Sequence, residues 1–163
     1  MKPTMKNKQR GAVIMDSLIA SSFMALMIIF VISQAPKLMY QWNKFQFQTQ
    51  AADIVSSTQA WKKLRPNFDG VTITKVCQDG QLSKNVCGSS NDGVATNPFG
   101  GNWTVVVDTA SKGLFKVTGT LPSDADRVSS LADTMAPTTR AACIEASGCS
   151  TLSTTANSIT MTY

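Results

Sequence analysis

A run of nineteen residues without a charged side chain, residues 17–35, constrains this 163-residue chain more than any other feature. At a rise of about 1.5 Å per residue, a helix of that length matches the thickness of a bilayer's hydrocarbon core. No acidic residue precedes Asp16, whereas four basic residues do: Lys2, Lys6, Lys8 and Arg10. Because cytoplasmic flanks of membrane spans are rich in Lys and Arg, this asymmetry predicts a span with a cytoplasmic N-terminus and export of the residues after about Pro36.

Asp16 is the charged residue at the start of this apolar run. An ionised carboxylate inside a membrane costs roughly a few kcal/mol or more, depending on its depth, so it is usually paired or functional. One interpretation is that Asp16 marks the start of the helix at the cytoplasmic surface, where the helix dipole favours an acid. The other is that Asp16 has a functional partner.

The N-terminal sequence resembles that of a type IV prepilin: a basic leader, then Gly11, then AVIMDSLIASSFMALMIIFV. The resemblance implies cleavage by prepilin peptidase between Gly11 and Ala12, and it makes Ala12 the candidate for N-methylation. Asp16 is then the fifth mature residue, where the family normally has glutamate; at the position of Ala12 the family more often has a bulky residue. The implied role of Asp16 is in subunit assembly, because the new α-amino group of Ala12 in one subunit neutralises this carboxylate in a neighbour.

An ordinary secretory signal peptide is a less favoured interpretation of the same N-terminus. Residues 33–35 have the small-x-small pattern of a cleavage box. The apolar run is longer than the usual signal-peptide core, and Pro36 directly after Ala35 would hinder the peptidase.

The helix is predicted to continue past the apolar run, since residues 37–65 contain no glycine and no proline. It should end at Leu64 or Arg65, because Pro66 disfavours the helical conformation of the residue before it. Pro36 should bend the helix, since a proline removes one backbone hydrogen bond. A separate helix over residues 37–65 is the alternative. Apolar residues at helical spacing predict one buried face, formed by Ala51, Ile54, Val55, Thr58, Trp61 and Leu64.

The remaining residues, 66–163, predict a head that is mostly β. Strands are expected at residues 71–76, 102–109, 114–120 and 158–163, the middle two forming a hairpin around Ser111-Lys112-Gly113. Ser123 is the predicted N-cap of an amphipathic helix that ends near Met135. Asp124 and Asp126 fit the first turn of this helix far better than a calcium site.

Together these elements predict an α+β fold, in which a long kinked helix packs on an antiparallel sheet. The predicted divisions are a leader (1–11), a transmembrane or filament-core helix (12–35), the amphipathic half of that helix (36–65) and the head (66–163). Two stretches of the head, TNPFGGNW and LPSDADRVSSLA, resemble type IVb pilins. The resemblance therefore implies the type IV pilin fold.

Four cysteines, Cys77, Cys87, Cys143 and Cys149, all lie in the part predicted to be exported. An even number there predicts two disulfides in an oxidising compartment. Pairing of Cys77 with Cys87 and of Cys143 with Cys149 is favoured, because each pair brackets a loop that contains glycine. A long-range bridge from Cys87 to Cys143 or Cys149 remains open. The chain has no histidine, and neither pair has zinc-finger spacing, so a zinc site is disfavoured.

Neither catalytic residues nor a cofactor or metal site is predicted. Without histidine the usual general base is missing, and no nucleophile motif or phosphate-binding loop occurs. The formal charge of +5 also overstates the basicity, because after cleavage eleven basic residues face ten acidic ones, a net charge of +1. The small basic cluster of Lys62, Lys63 and Arg65 is interpreted as a solvated helix end rather than as a nucleic-acid site.

The predicted function is that of a structural pilus subunit: inserted in the bacterial inner membrane, cut after Gly11 and polymerised into an extracellular filament. Small residues Ala20, Ser21, Ser22 and Ala25 would let neighbouring helices approach closely. The polar loops at residues 88–96 and 147–158 would form the outer surface. The resemblance implies these partners: other copies of the chain, prepilin peptidase, an inner-membrane platform protein, an assembly ATPase, an outer-membrane secretin and minor pilins. The alternatives are a pseudopilin of a type II secretion system and, less favoured, a membrane-anchored periplasmic binding protein.

Overall fold

A computed structural model of the chain describes the backbone of residues 9–163 and the side chains of residues 15–163. Most of the predicted leader therefore lies outside the described residues. The described part contains four α-helices and four strands. The helices are α1 (Gln9–Lys62), α2 (Ile73–Gln78), α3 (Lys84–Cys87) and α4 (Val128–Met135). The strands are β1 (Trp103–Val107), β2 (Phe115–Thr120), β3 (Leu152–Thr154) and β4 (Ser158–Thr162).

Helix α1 runs without interruption through Pro36, so no separate helix begins after the proline. The bend expected at Pro36 stays a prediction. The helix ends at Lys62, slightly earlier than expected, because Lys63 adopts the left-handed conformation with φ of 48°. Leu64 was predicted to belong to the buried face, and that was wrong: it lies beyond the helix end and is fully exposed.

The chain divides into two compact units, the first ending at Trp42 and the second comprising Asn43–Tyr163. The second unit contains a four-stranded antiparallel sheet with the strand order β1-β2-β4-β3. The predicted hairpin is confirmed, with Trp103 opposite Gly119 and Val107 opposite Phe115. The predicted C-terminal strand is confirmed as β4, which lies between β2 and the edge strand β3.

The core of the second unit forms where α1 crosses the sheet. Phe47 is fully buried, and its ring centroid lies 4.5 Å from that of Trp103 and 5.7 Å from that of Phe99. Gly119 makes this packing possible, because a Cβ atom there would lie 2.6 Å from the Phe47 ring. Trp103 also donates a hydrogen bond of 2.8 Å from Nε1 to Oε1 of Gln50. An aromatic cluster thus fixes the helix against the hairpin.

The predicted helical face is largely confirmed. Four of its members are buried, and Val55 is half-buried. The buried ones are Ala51, Ile54, Thr58 and Trp61. Phe47, one turn before Ala51, extends the same face and was not predicted.

The strand predicted at residues 71–76 is wrong, because this stretch enters helix α2. Thr72 caps the helix by accepting a hydrogen bond from the backbone N–H of Lys75. Ile73, Val76 and Cys77 are buried at helical spacing. The cap and this packing outweigh the strand preference of the β-branched residues.

The helix predicted to begin after Ser123 starts later, although it ends at Met135 as expected. Pro122 and Ser123 form a turn, and a short 3₁₀ turn at Ala125–Arg127 precedes α4. The backbone N–H of Arg127 donates to the Asp124 carbonyl at 3.0 Å, which closes this tighter turn. The predicted N-cap role of Ser123 is therefore wrong.

The two disulfides join Cys77 to Cys87 and Cys143 to Cys149. The favoured pairing is confirmed, and the long-range bridge does not form. One bridge ties α2 to α3, while the other closes a loop before β3. The predicted loop at residues 147–158 is partly wrong, because its centre is the three-residue strand β3.

Candidate functional site: the exposed apolar helix

The first unit presents a helix that is apolar around its whole circumference. Twelve large apolar side chains between Met15 and Ile32 are 57–70% exposed. They are Met15, Leu18, Ile19, Phe23, Met24, Leu26, Met27, Ile28, Ile29, Phe30, Val31 and Ile32. A helix that is apolar on every side is stable in lipid or in a protein core rather than in water. This one is long and apolar enough to cross a membrane.

Three serines of α1 donate their hydroxyl groups to backbone carbonyls of the helix itself. Ser21 donates to the Leu18 carbonyl at 3.0 Å, and Ser33 donates to the Phe30 carbonyl at 2.7 Å. Ser22 donates to the same Leu18 carbonyl at 2.7 Å. Because an unpaired hydroxyl is costly in an apolar medium, these bonds suit the helix to surroundings without water.

Asp16 is exposed, and no cation among the described side chains forms an ion pair with it. In the uncut chain α1 is described from Gln9 onward, so Asp16 lies at least about two turns inside the helix. The unpaired N–H groups of a helix are those of its first four residues, here all before Asp16. The interpretation of Asp16 as a helix-start residue thus fits poorly in the uncut chain. Cleavage after Gly11 would instead place Asp16 one turn from the new terminus.

The predicted site residues divide between the two units. Gly11 and Ala12 lie within α1, which also contains Asp16 and Pro36. The four cysteines belong to the second unit, where each bridge closes a local segment. The residues predicted to act in cleavage and assembly are therefore separate from the disulfides of the head.

Asn97 organises the TNPFGGNW segment, a role that was not predicted. Its side chain is buried, and Oδ1 accepts hydrogen bonds of 2.9 Å from the backbone N–H groups of Phe99 and Gly101. Its Nδ2 group donates to the Thr120 carbonyl at 2.7 Å. Gly101 lies so close to Thr120 that a Cβ atom would overlap the Thr120 carbonyl oxygen. In the sequence, the Asn-Pro and Gly-Gly pairs were the signals that could have indicated this role of Asn97.

At the other end of the hairpin, buried Asp108 forms an ion pair with half-buried Lys116. Lys116 Nζ lies 2.8 Å from Asp108 Oδ1, and the backbone N–H of Ala110 donates to the same oxygen at 3.3 Å. The hydrogen bond from Lys116, followed by that from Ala110, lowers the pKa of Asp108. The charged pair ties the end of β1 to the start of β2.

The pair predicts acid sensitivity of the head. A lowered folded-state pKa contributes stability above the unfolded pKa of about 3.9, and this contribution is lost as the pH falls through the lower folded value. We expect Asp108→Asn and Lys116→Met to flatten the dependence of unfolding free energy on pH below about pH 5. Denaturant titrations of the full chain in detergent at several pH values would measure this.

Lys84→Met is the matched control, because Lys84 makes no ion pair among the described residues. Its pH profile should follow that of the wild-type chain. An unchanged slope in Asp108→Asn would show that the pair contributes nothing to stability.

The other side chains of the head do not cluster into a reactive site. Among the described residues, no group of three or more Cys, Asp or Glu side chains is placed to hold a metal ion. A groove of about 350 Å³ between α1 and α4 is lined by Gln48, Val55, Gln59, Thr138 and Tyr163, among others. Burial raises the pKa of Tyr163. The polar side chains that line this groove are amides and hydroxyls, so it holds no nucleophile with an adjacent base.

Comparison of the chain with protein-family models, with curated proteins and with solved structures finds no match.

Proposed function

We propose that this protein is the structural subunit of a type IV pilus, most similar to the IVb type. The observation that carries the proposal is the exposed apolar helix with a single acid, Asp16, near its start. Such a helix requires a non-aqueous partner, and a lone carboxylate within it requires a positive group. A membrane supplies the non-aqueous surroundings before assembly, and the filament core then supplies both the apolar contacts and the positive group.

Before assembly, the helix spans the bacterial inner membrane with its N-terminus in the cytoplasm and the head exported. Basic residues before Gly11 favour this orientation. The oxidising compartment beyond the membrane is where two disulfides form and persist. Both disulfides belong to the second unit, in agreement with its export.

During assembly, apolar helices of neighbouring copies replace lipid around one another. Lipid is as apolar as the side chains, so close packing rather than hydrophobicity drives this exchange. The small residues Ala20, Ser21, Ser22 and Ala25 allow the close approach. Repetition of the same contact by a rotation that does not close produces an open helical polymer.

Asp16 sets the register of that polymer. Cleavage after Gly11 creates an α-amino group on Ala12, and this cation in one copy neutralises Asp16 in the next. An unpaired buried charge is strongly unfavourable, so copies that add in another register are rejected. The proposal also requires a prepilin peptidase, a platform protein, an assembly ATPase and a secretin as partners, with minor pilins in the same filament.

A pseudopilin of a type II secretion system is the second candidate, because it would use the same helix and the same acid. The two disulfides and the Ser/Thr-rich loops favour a surface-exposed filament over a periplasmic one. Electron microscopy of cells with and without the gene distinguishes the two candidates, because only the loss of a pilin gene removes a surface fibre.

The first test is the mass of the mature protein purified from its native envelope. We expect a chain that begins at Ala12, heavier by one methyl group where Ala12 is methylated. Gly11→Val is the control and should leave the leader attached. A chain that begins at Met1 or at Pro36 would exclude a pilin.

A further inference from the structure

The apolar run is followed directly by a short segment of different composition, residues 37–42, here called the 37–42 segment. It contains one cation, Lys37, and two amphipathic aromatic residues, Tyr40 and Trp42. Leu38 and Met39 are each 67% exposed, and Trp42 is 61% exposed. The segment thus combines exposed apolar surface with a cation on the exported side of the proposed span.

The spacing of charges along α1 matches the thickness of a bilayer. Asp16 and Lys37 are the first charged residues at the two ends of the uncharged run, and they are twenty-one positions apart. At about 1.5 Å per residue this is roughly 31 Å, against about 30 Å for a hydrocarbon core. A helix that crosses the core therefore places one charge at each surface.

Trp42 then falls within the headgroup layer. It lies five residues beyond Lys37, or about 7.5 Å further along the helix. Long side chains on a helix point back toward its N-terminus, which returns the indole ring toward the edge of the core. Trp and Tyr are enriched at this depth, where one part of the ring is apolar and the other is wet.

We propose that the 37–42 segment binds the headgroup layer of anionic phospholipids. The indole ring of Trp42 lies in the interface, and the ammonium group of Lys37 contacts lipid phosphate. This anchor fixes the depth of the span, and so holds Asp16 at the opposite surface until assembly. The inference rests on the membrane-inserted stage of the proposed function.

Charge favours lipid over a second copy of the chain as the occupant. The acids on α1 are Asp16 and Asp53, which lie twenty-one and sixteen residues from Lys37. A parallel neighbouring helix would have to shift by about 24 Å or more to offer a carboxylate to Lys37. Lipid phosphate is present at that depth without any shift, and an anionic membrane surface attracts a nearby lysine electrostatically.

Tryptophan fluorescence tests this anchor directly, because Trp42 is the exposed one of three tryptophans. Trp61 is 6% exposed, and Trp103 is fully buried in the head. The full chain is reconstituted into phosphatidylethanolamine and phosphatidylglycerol vesicles that contain lipids brominated near the headgroup or near the chain end. We expect the shallow bromines to quench more than the deep ones. Trp42→Phe should lose this difference, and Lys37→Gln should reduce it.

Each other result overturns a defined part of the inference. Protein that floats with the vesicles but is quenched more by deep bromines, or by neither, overturns the anchor and leaves the span intact. Quenching that disappears as the protein-to-lipid ratio rises would show that other copies cover Trp42, and it too overturns the anchor. Protein that does not float with the vesicles overturns the membrane stage of the proposed function as well.

Discussion

Replacing Asp16 with alanine is expected to abolish filaments while leaving membrane insertion and export of the head intact. In the proposed filament the change leaves the α-amino group of Ala12 buried without its carboxylate. Removing one member of a buried ion pair costs about 3–5 kcal/mol, which corresponds to roughly a hundredfold to several-thousandfold weaker subunit association. Immunoblots of sheared filaments, with electron microscopy of the same cells, measure the loss.

Two controls separate the role of Asp16 from a general effect of charge. Asp16→Glu keeps the carboxylate and restores the residue usual in the resembled family, so filaments should persist. Asp53→Ala removes the other acid of α1, which is exposed and makes no ion pair among the described residues. It should leave filament yield nearly unchanged. Normal fibres from Asp16→Ala would contradict the assembly role.

Replacing Phe47 with alanine is expected to destabilise the head by about 3–5 kcal/mol, the usual cost of truncating a buried aromatic residue. Phe47 is fully buried between Trp103 and Phe99, and Gly119 lies directly against its ring. Its removal leaves a cavity that the rigid sheet cannot close. Denaturant unfolding of the full chain in detergent, followed by the fluorescence of buried Trp103, measures the change.

Phe45→Ala is the matched control, two residues earlier on the same helix. Phe45 is 59% exposed, so its truncation should cost within about 0.5 kcal/mol. Equal losses for the two variants would show that Phe47 does not hold α1 against the sheet.

Features governed by neighbours in the sequence were predictable. The absence of charge from residue 17 to residue 35 predicted the membrane-length helix, and the spacing of Ala51, Ile54 and Trp61 predicted its buried face. The Ser-Lys-Gly turn predicted the hairpin, because a short turn between two β-branched runs leaves few alternatives. The disulfide pairs followed from short loops that contain glycine.

Features governed by distant contacts were not predictable. Residues 71–76 have a strand-like composition, yet burial of Ile73 and Val76 in the head favours a helix, to which the local cap at Thr72 adds. Phe47 could be recognised as the centre of the core only once Gly119, seventy-two residues away, was known to leave room for its ring. Asn97 likewise depends on the carbonyl of Thr120, twenty-three residues away in strand β2.

The same distinction between local and distant information applies to the candidate site. The sequence indicated the apolar helix and Asp16, and the exposure of every large apolar side chain from Met15 to Ile32 supports an external partner for that helix. The cation proposed for Asp16 belongs to another copy, so a single chain folds without it. Sequence resemblance, rather than any internal contact, suggested its identity.

The hydroxyl bonds that Ser21, Ser22 and Ser33 make to their own backbone have a mechanical consequence. In the proposed filament these hydroxyl groups need no hydrogen-bond partner on a neighbouring helix, so two copies would slide or rotate past each other along this stretch without breaking a directional bond. Resistance to such movement would be concentrated at Asp16. A fibre built in this way would stretch smoothly under tension and yield when that single point of attachment gives way.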